Sequence, residues 1–554
     1  MAPRGYKVYR YRNMYLTEAD FGGAETDDLG ISILWSMRQP GAMQTAQDKV
    51  LAWLKPRSRR RLKRRWKRRL KRRAKRRRKH GHQPCIPDED KYPISTEPPF
   101  IETDREYVYE IDLDRKIFHI NGIPFFTLEC LPNDDDFLRY VCEDHYHNIA
   151  CAPGCPLEHV YKRPAPPVIK NSVFATYHSS VCTGTYIALN DLLAISDVLS
   201  RGEHARVSLL ETFIGQCMGM EYCVNERRTI VSIIYQFGLV SHNEQLTDQE
   251  WLTACSMANF AFIPQMFDDP SRFIYLKLRR KEFTWIREDT VVYIATYLDD
   301  ERCLLASISR LIHEILEQKD NPGDYFGVAF SIFHCAIVKV FKDMHATTFS
   351  HTGALQFLPS FFADSPSTPG ITALARLGYR VDPTLFVRVI EIYSSDMKTL
   401  DDWHCYPTVL LMEDEGTPTM NGVLPPELWQ EVALYLRLRD LLSLGMVSQL
   451  CRDVASMILR RPHIRGHRLV VVSKEDQMDL RDTDCFLDAS YFLVARGSIS
   501  AILAVGLGHS QDIISIPLGF GYLIRSLRNP YFVLDEHGSD SDSGKARLVE
   551  ALTV

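Results

Sequence analysis

Residues 423–464 read VLPPELWQEVALYLRLRDLLSLGMVSQLCRDVASMILRRPHI, and this stretch carries its own punctuation. Pro425 and Pro426 suit a first helical turn, where a missing amide proton costs no hydrogen bond. Glu427 and Glu431 complement the positive end of the helix dipole, and Leu428, Val432, Tyr435 and Leu436 fall on one face. Asp440 is expected as the N-cap of a second helix. Val447, Leu450, Cys451, Val454, Ala455 and Ile458 continue as an apolar face, Arg460 and Arg461 sit at the negative end, and Pro462 stops the run. A unit of about 40 residues rarely supplies a stable core alone, so it has to dock on the rest of the chain or on a partner.

The surrounding chain has 554 residues, 45% hydrophobic and 25% charged, enough material for several cores. No stretch reaches the roughly 18–20 apolar residues needed to cross a bilayer. The longest apolar run, Tyr325 to Val338, lies between Asp324 and Lys339, contains His334, and reads as a buried core helix. The first residues show no apolar signal segment. The 14 cysteines are scattered rather than framed, which favours reduced thiols and an intracellular setting, nucleus or cytoplasm.

A net charge of −4 hides an asymmetry. Lys55 to Lys79 holds 19 Lys and Arg and no Asp or Glu; the rest of the chain keeps 47 basic residues against 70 acidic ones. Its few apolar residues, Leu62, Trp66, Leu70 and Ala74, recur every fourth position, as on a helix. Such a segment seeks anions, and a nuclear localisation signal read by importins is the most economical function. Phosphate contact with nucleic acid, a membrane-surface or calmodulin-type helix and an inert low-complexity insertion are the alternatives.

The fold expected is α+β and mainly helical. Tyr6–Leu16 reads as a strand, and residues 47–54 as a short helix within an N-terminal region 1–54. After the basic segment 55–79 and a proline-containing linker 80–100, residues 101–165 form a β-meander expected to pack with 1–54. Tyr107, Tyr109, Ile111 and Leu113 alternate with Val108, Glu110 and Asp112, and Asn121-Gly122 between apolar runs is a strong hairpin signal. Residues 166–415 read as a mainly helical body, clearest over Leu304–Leu316, with 207–219 and 328–342 read similarly. The F-box-like unit defined below is bounded at 421–466. A small α/β or β region follows at 467–534, then an acidic, serine-rich tail at 535–554.

Cys142, His145, His147, Cys151, Cys155 and His159 cluster within 18 residues, a set zinc would accept, but the spacing lacks paired CxxC motifs and free thiols are expected. Asp134–Asp136 reads as a solvated turn. A Gly-rich phosphate loop, a His-Glu-x-x-His helix and a Gly-x-Ser-x-Gly elbow are all missing from the sequence, so neither catalytic residues, metal nor cofactor are assigned.

The 423–464 segment resembles an F-box. The family opens with Leu-Pro-x-Glu-Leu/Ile, matched by Leu424, Pro425, Glu427 and Leu428; Val432, Tyr435, Leu436, Asp440, Leu441, Leu442, Val447, Ser448 and Arg452 match further positions. Cys451 stands where Trp is usual, which implies looser packing of the last helix. The resemblance implies a non-catalytic, substrate-recruiting subunit of an SCF-type cullin–RING ubiquitin ligase. It implies that Leu424, Pro425, Leu428, Val432, Leu436, Leu441 and Leu442 bind a Skp-type adaptor joined to the cullin core, while other regions hold a target protein. The wider layout, with tyrosine-rich N-terminal strands and a late F-box, looks like a group of fungal F-box-like proteins. The rival readings are a nuclear nucleic-acid-binding protein using Lys55–Lys79 and a non-enzymatic interaction scaffold.

Overall fold

A computed structural model describes residues 4–20, 26–55, 94–96, 106–146, 148–174, 177, 185–219, 230–267, 280–344, 347–363, 365–397, 424–464, 467–471, 486–496 and 499–508. The basic segment beyond Lys55, most of the 80–100 linker and the serine-rich tail lie outside the described residues.

The chain opens on a hairpin of β1 (Arg4–Tyr11) and β2 (Met14–Asp20), not on one strand across Tyr6–Leu16. Arg12 and Asn13 both adopt positive φ, 51° and 55°, the left-handed pair whose twist matches a tight two-residue hairpin. Helices α1 (Ile31–Arg38) and α2 (Ala42–Leu54) and the short β3 (Ile94–Ser95) follow. Strand β4 (Glu106–Asp112) then lies parallel to β1, with Val8 opposite Glu110 and Arg10 opposite Asp112. With β5 (Ile117–Ile120) and β6 (Ile123–Thr127) the sheet has the order β3-β2-β1-β4-β5-β6. Tyr109, Ile111 and Phe118 share a core with Leu34, Val50 and Trp53 of the two helices. Asn121-Gly122 forms the β5–β6 turn, and a Cβ on Gly122 (φ 80°) would sit 2.2 Å from the Ser232 hydroxyl. That close approach brings in the next layer.

Asp134–Asp136 is the first turn of α3 (Asp134–Tyr140), not a loose turn. Asn133 caps it by accepting from the Asp136 amide, and three carboxylates face the positive helix end. A small hairpin, β7 (Val141–Glu143) with β8 (Ile149–Cys151), follows.

The middle of the chain combines helices with a seven-stranded sheet. The helices are α4 (Leu189–Leu193), α5 (Arg201–Gly219), α6 (Ile230–Gly238) and α7 (Asp248–Asn259), the last with a Thr247/Glu250 capping box. The sheet takes β9 (Thr185–Tyr186), β11 (Phe283–Arg287), β12 (Thr290–Ile294), β13 (Gly323–Phe330), β14 (His334–Lys342), β15 (Thr347–His351) and β16 (Leu355–Gln356). Strand β10 (Met266–Phe267) lies apart from it. Helix α8 (Glu301–Gln318) links the parallel strands β12 and β13.

Tyr325–Val338, expected as a helix, is therefore the β13–β14 hairpin, and 328–342 is strand as well. Phe326, Val328 and Phe330 enter the central core, while Tyr325 and Ala329 enter the core beneath α8. Both sheet faces are covered, so the alternation of strand residues is hidden inside one continuous apolar run.

Helices α9 (Pro369–Tyr379) and α10 (Leu385–Met397) precede α11 (Pro426–Tyr435), α12 (Leu438–Gly445) and α13 (Gln449–Leu459). Short strands β17 (His463–Ile464), β18 (His467–Arg468) and β19 (Val470–Val471) lead to a long hairpin of β20 (Phe486–Arg496) and β21 (Ile499–Gly508). Among the described residues no helix is long and apolar enough to cross a membrane.

Candidate functional site

Pro425 holds an extended backbone (φ −53°, ψ 149°) and its carbonyl accepts from the Leu428 and Trp429 amides at 3.0 and 3.2 Å, so the double proline starts α11. The helix ends at Leu436, and Arg437, not Asp440, occupies the N-cap position of α12. Asp440 lies inside the first turn, where its charge meets the positive helix end without capping an amide. Ser448 caps α13, its hydroxyl accepting from the Cys451 amide at 3.2 Å.

The three helices enclose a small core with a fourth helix from the body. Ala433, Leu438, Leu441, Leu442, Val454, Ala455, Ile458 and Leu459 pack with Leu385, Phe386 and Val389 of α10. Gly445 is where α12 passes closest: an added Cβ would lie 2.1 Å from the Phe386 ring. Cys451 is buried at 4% exposure, so a small side chain fills the place that usually takes Trp.

The far end is tied to the body by polar groups. The Arg460 guanidinium donates to the Tyr379 carbonyl at 3.2 Å and lies over the Tyr379 ring. Buried Arg206 donates to the Arg460 carbonyl at 2.9 Å. Burial, reinforced by the positive charges of Arg287 and Arg388, pulls Arg206 down to about 9, which leaves it cationic at neutral pH. Beyond Pro462, His463 pairs in parallel with Met266 of β10.

The opposite side of α11 is uncovered. Leu424 is 43% exposed, Leu428 48%, Val432 41% and Tyr435 86%, and the last three share one helical face. Seven of the eighteen exposed large apolar side chains among the described residues fall between Leu424 and Met457. That concentration within one short helical unit distinguishes it from scattered surface apolar residues. Residues 423–461 match the family model of the F-box domain.

The segment is an F-box domain. No curated protein and no solved structure matches the chain. F-box domains bind Skp-type adaptors in cullin SCF complexes, so the domain points to a role in substrate recognition by an SCF-type ubiquitin ligase.

The residues that the resemblance assigned to the adaptor face divide in two. Leu424, Pro425, Leu428 and Val432 are exposed, and Leu436 is half-buried. Leu441 and Leu442 are sealed inside the F-box core, at 0% and 6% exposure, where α10 covers them. They shape the domain from within and offer no free surface. Val447, expected on the inner face of α13, precedes the helix and is exposed, as are Met446 and Met457. The role of α10 in completing the core is legible in no F-box pattern, because it is contributed from before the motif.

Among the described residues no three members of the Cys/His cluster bring their ligand atoms together, although Cys151 and Cys155 are in contact and His159 Nδ1 lies 3.5 Å from Cys130 Sγ. His159 Nδ1 contacts the Cys130 carbonyl at 2.8 Å, Cys142 Sγ donates to the Ala150 carbonyl, and the His145 amide donates to Phe361. Burial, with the adjacent Cys155 sulfur, pushes the Cys151 thiol up to about 12, and burial raises Cys142 as well. His147 lies outside the described residues.

Proposed function

We propose that the chain is a substrate-recruiting subunit of a cullin–RING ligase whose docking edge is Leu424, Pro425, Leu428 and Val432, flanked by Leu436. The observation that carries this reading is a row of open apolar side chains along one face of α11, above a helical core closed by α10. A Skp-type adaptor would cover that row, gaining the usual stabilisation of apolar burial. Leu441 and Leu442 hold the helices beneath it in place. The sheets and helices preceding the F-box would present the target, and ubiquitin transfer would occur on the partner subunits, with no catalytic residue supplied here.

The F-box is not joined to the body by a free tether in this reading. The α10 contact, the Arg206–Arg460 hydrogen bond and the β10–β17 pairing hold it against the body, so a target bound elsewhere on the chain keeps a fixed position relative to the ligase core. Co-elution of the full chain with a purified Skp-type adaptor tests the proposal. Wild type is expected to form a stoichiometric complex, and Leu424→Ala/Pro425→Ala to lose it while keeping its circular dichroism spectrum. Equal co-elution of wild type and variant would place the adaptor, if it binds, somewhere else.

A further inference from the structure

The N-terminal sheet buries a polar cluster that the F-box reading does not use. Glu110 and Asp112 project from the same face of β4, and His119 on β5 stands directly opposite Glu110 in the antiparallel register. All three are buried, at 6%, 0% and 0% exposure, and one ligand atom from each lies within 4.8 Å of the others. In the sequence, charged residues alternating with Tyr109 and Ile111 would ordinarily face water; here both faces of the sheet are covered.

His119 is the anomaly. The side chain is wholly enclosed, yet neither ring nitrogen has a well-formed hydrogen bond, the backbone of Gly122 being its one close polar neighbour among the described residues outside the charged groups. An imidazole placed so is costly unless something answers it. The Asp112 carboxylate uses Oδ1 to accept from the Asp114 and Arg115 amides, at 3.0 and 2.9 Å, and turns Oδ2 toward the cluster without a hydrogen bond.

Two arginines border the group. Arg10 on β1 places Nη1 3.3 Å from Asp112 Oδ2 and 3.7 Å from Glu110 Oε1, longer than the roughly 2.7–2.9 Å of a charge-assisted hydrogen bond. Arg115 stands further out, within electrostatic reach of Asp112 and Glu110, and donates to Gln236 Oε1 at 3.1 Å. Two carboxylates and two guanidiniums, one close and one set back, thus gather round a histidine that burial drives to its neutral form.

We propose that Glu110, Asp112 and His119 form a buried site for a first-row divalent cation, with Arg10 as an outer charge partner of the carboxylates. Two carboxylate oxygens and one imidazole nitrogen are a donor set that zinc, manganese and ferrous iron accept. Ligands bound about 2.1 Å from a common ion lie roughly 3–4 Å apart, so small side-chain rotations close the set. The ion would pin β4 to β5 and leave the F-box untouched; the site stands whether or not the adaptor reading holds.

The test uses the full chain, stripped with chelator and titrated with cobalt(II) as a spectroscopic probe and zinc(II) as competitor. Wild type is expected to bind one equivalent of cobalt with ligand-field absorption and no thiolate charge-transfer band, to release it to zinc, and to show a higher Tm with zinc present. His119→Gln and Asp112→Asn are expected to lose that equivalent, and Cys151→Ser/Cys155→Ser to keep it. No saturable cobalt binding and no zinc-induced Tm shift in folded wild type would overturn the proposal, and this arm does not depend on the variants folding. Binding that survives His119→Gln, or that carries a thiolate band lost with the cysteines, would overturn it too.

Discussion

Arg206 Nη1 donates to the carbonyl of Arg460 over 2.9 Å, joining α5 to the last turn of the F-box across 254 residues of sequence. The same guanidinium donates through Nη2 to Ala261 and, at 3.3 Å, to Ile263. One buried side chain therefore satisfies three carbonyls from two distant segments, and its loss leaves the buried Ala261 carbonyl without a partner.

Arg206→Ala is expected to cost about 2–3 kcal/mol, most of it from the buried Ala261 acceptor left unpaired. Urea denaturation measures the loss. Hydrogen exchange is expected to show faster exchange at 449–464 than in β12–β13, since the break is local to the F-box attachment. Arg206→Lys is expected to recover only part of the stability, because an ammonium cannot span the same acceptors.

Gly445 has no room for a side chain. Gly445→Ala places a Cβ 2.1 Å from the Phe386 ring, and the expected cost is about 1–3 kcal/mol from overpacking. Phe386→Leu in the same chain opens the space, so the double variant is expected to be more stable than the sum of the two single changes. Simple additivity in the denaturation midpoints would show that α10 does not press on α12 as described.

Glu203 and Arg376 form a buried pair at 3.0 Å, joining α5 to α9. Burial alone would raise the Glu203 carboxyl, but hydrogen bonds from Ser200 and Arg376 outweigh it and hold the group below its ordinary value. A carboxyl lowered by folding adds stability that is complete above its unfolded value and lost as pH falls through the folded one. Wild type is therefore expected to lose stability below about pH 4.5, the ordinary value for a glutamate. Glu203→Gln is expected to flatten that part of the profile and, by leaving Arg376 uncompensated, to cost about 3–5 kcal/mol at neutral pH. A pH–stability curve of the two proteins checks both.

The parts of this molecule written locally could be read from the sequence. The double-proline start at Pro425 and the stop at Pro462 depend on neighbours within a few residues, and so does the Asn121-Gly122 turn, whereas the caps at Arg437 and Ser448 escaped. The β13–β14 hairpin escaped because α8 and the central core cover its two faces, which removes the polar alternation that marks a strand. The fate of Leu441 and Leu442 escaped for a different reason: Phe386 and Val389, which bury them, lie more than 50 positions earlier. Glu110, Asp112 and His119 fall together through strand register, which fixes their spacing only once β4 and β5 are paired.

Leu428→Ser/Val432→Ser and Leu441→Ala separate surface from support. The first pair removes exposed apolar groups and is expected to leave the melting temperature within a few degrees of wild type. The second empties a fully buried site in the F-box core, and is expected to cost about 2–5 kcal/mol.

The most direct measurement is the affinity of the full chain for a purified Skp-type adaptor, by titration calorimetry, in wild type and in Leu424→Ser/Leu428→Ser. Two leucines that are already about half covered gain roughly 0.7–1.5 kcal/mol each when the rest is buried, so the variant is expected to bind at least about 10-fold more weakly with an unchanged unfolding curve. An affinity equal to that of wild type, or no binding by wild type at all, would contradict the account of this face as the docking edge.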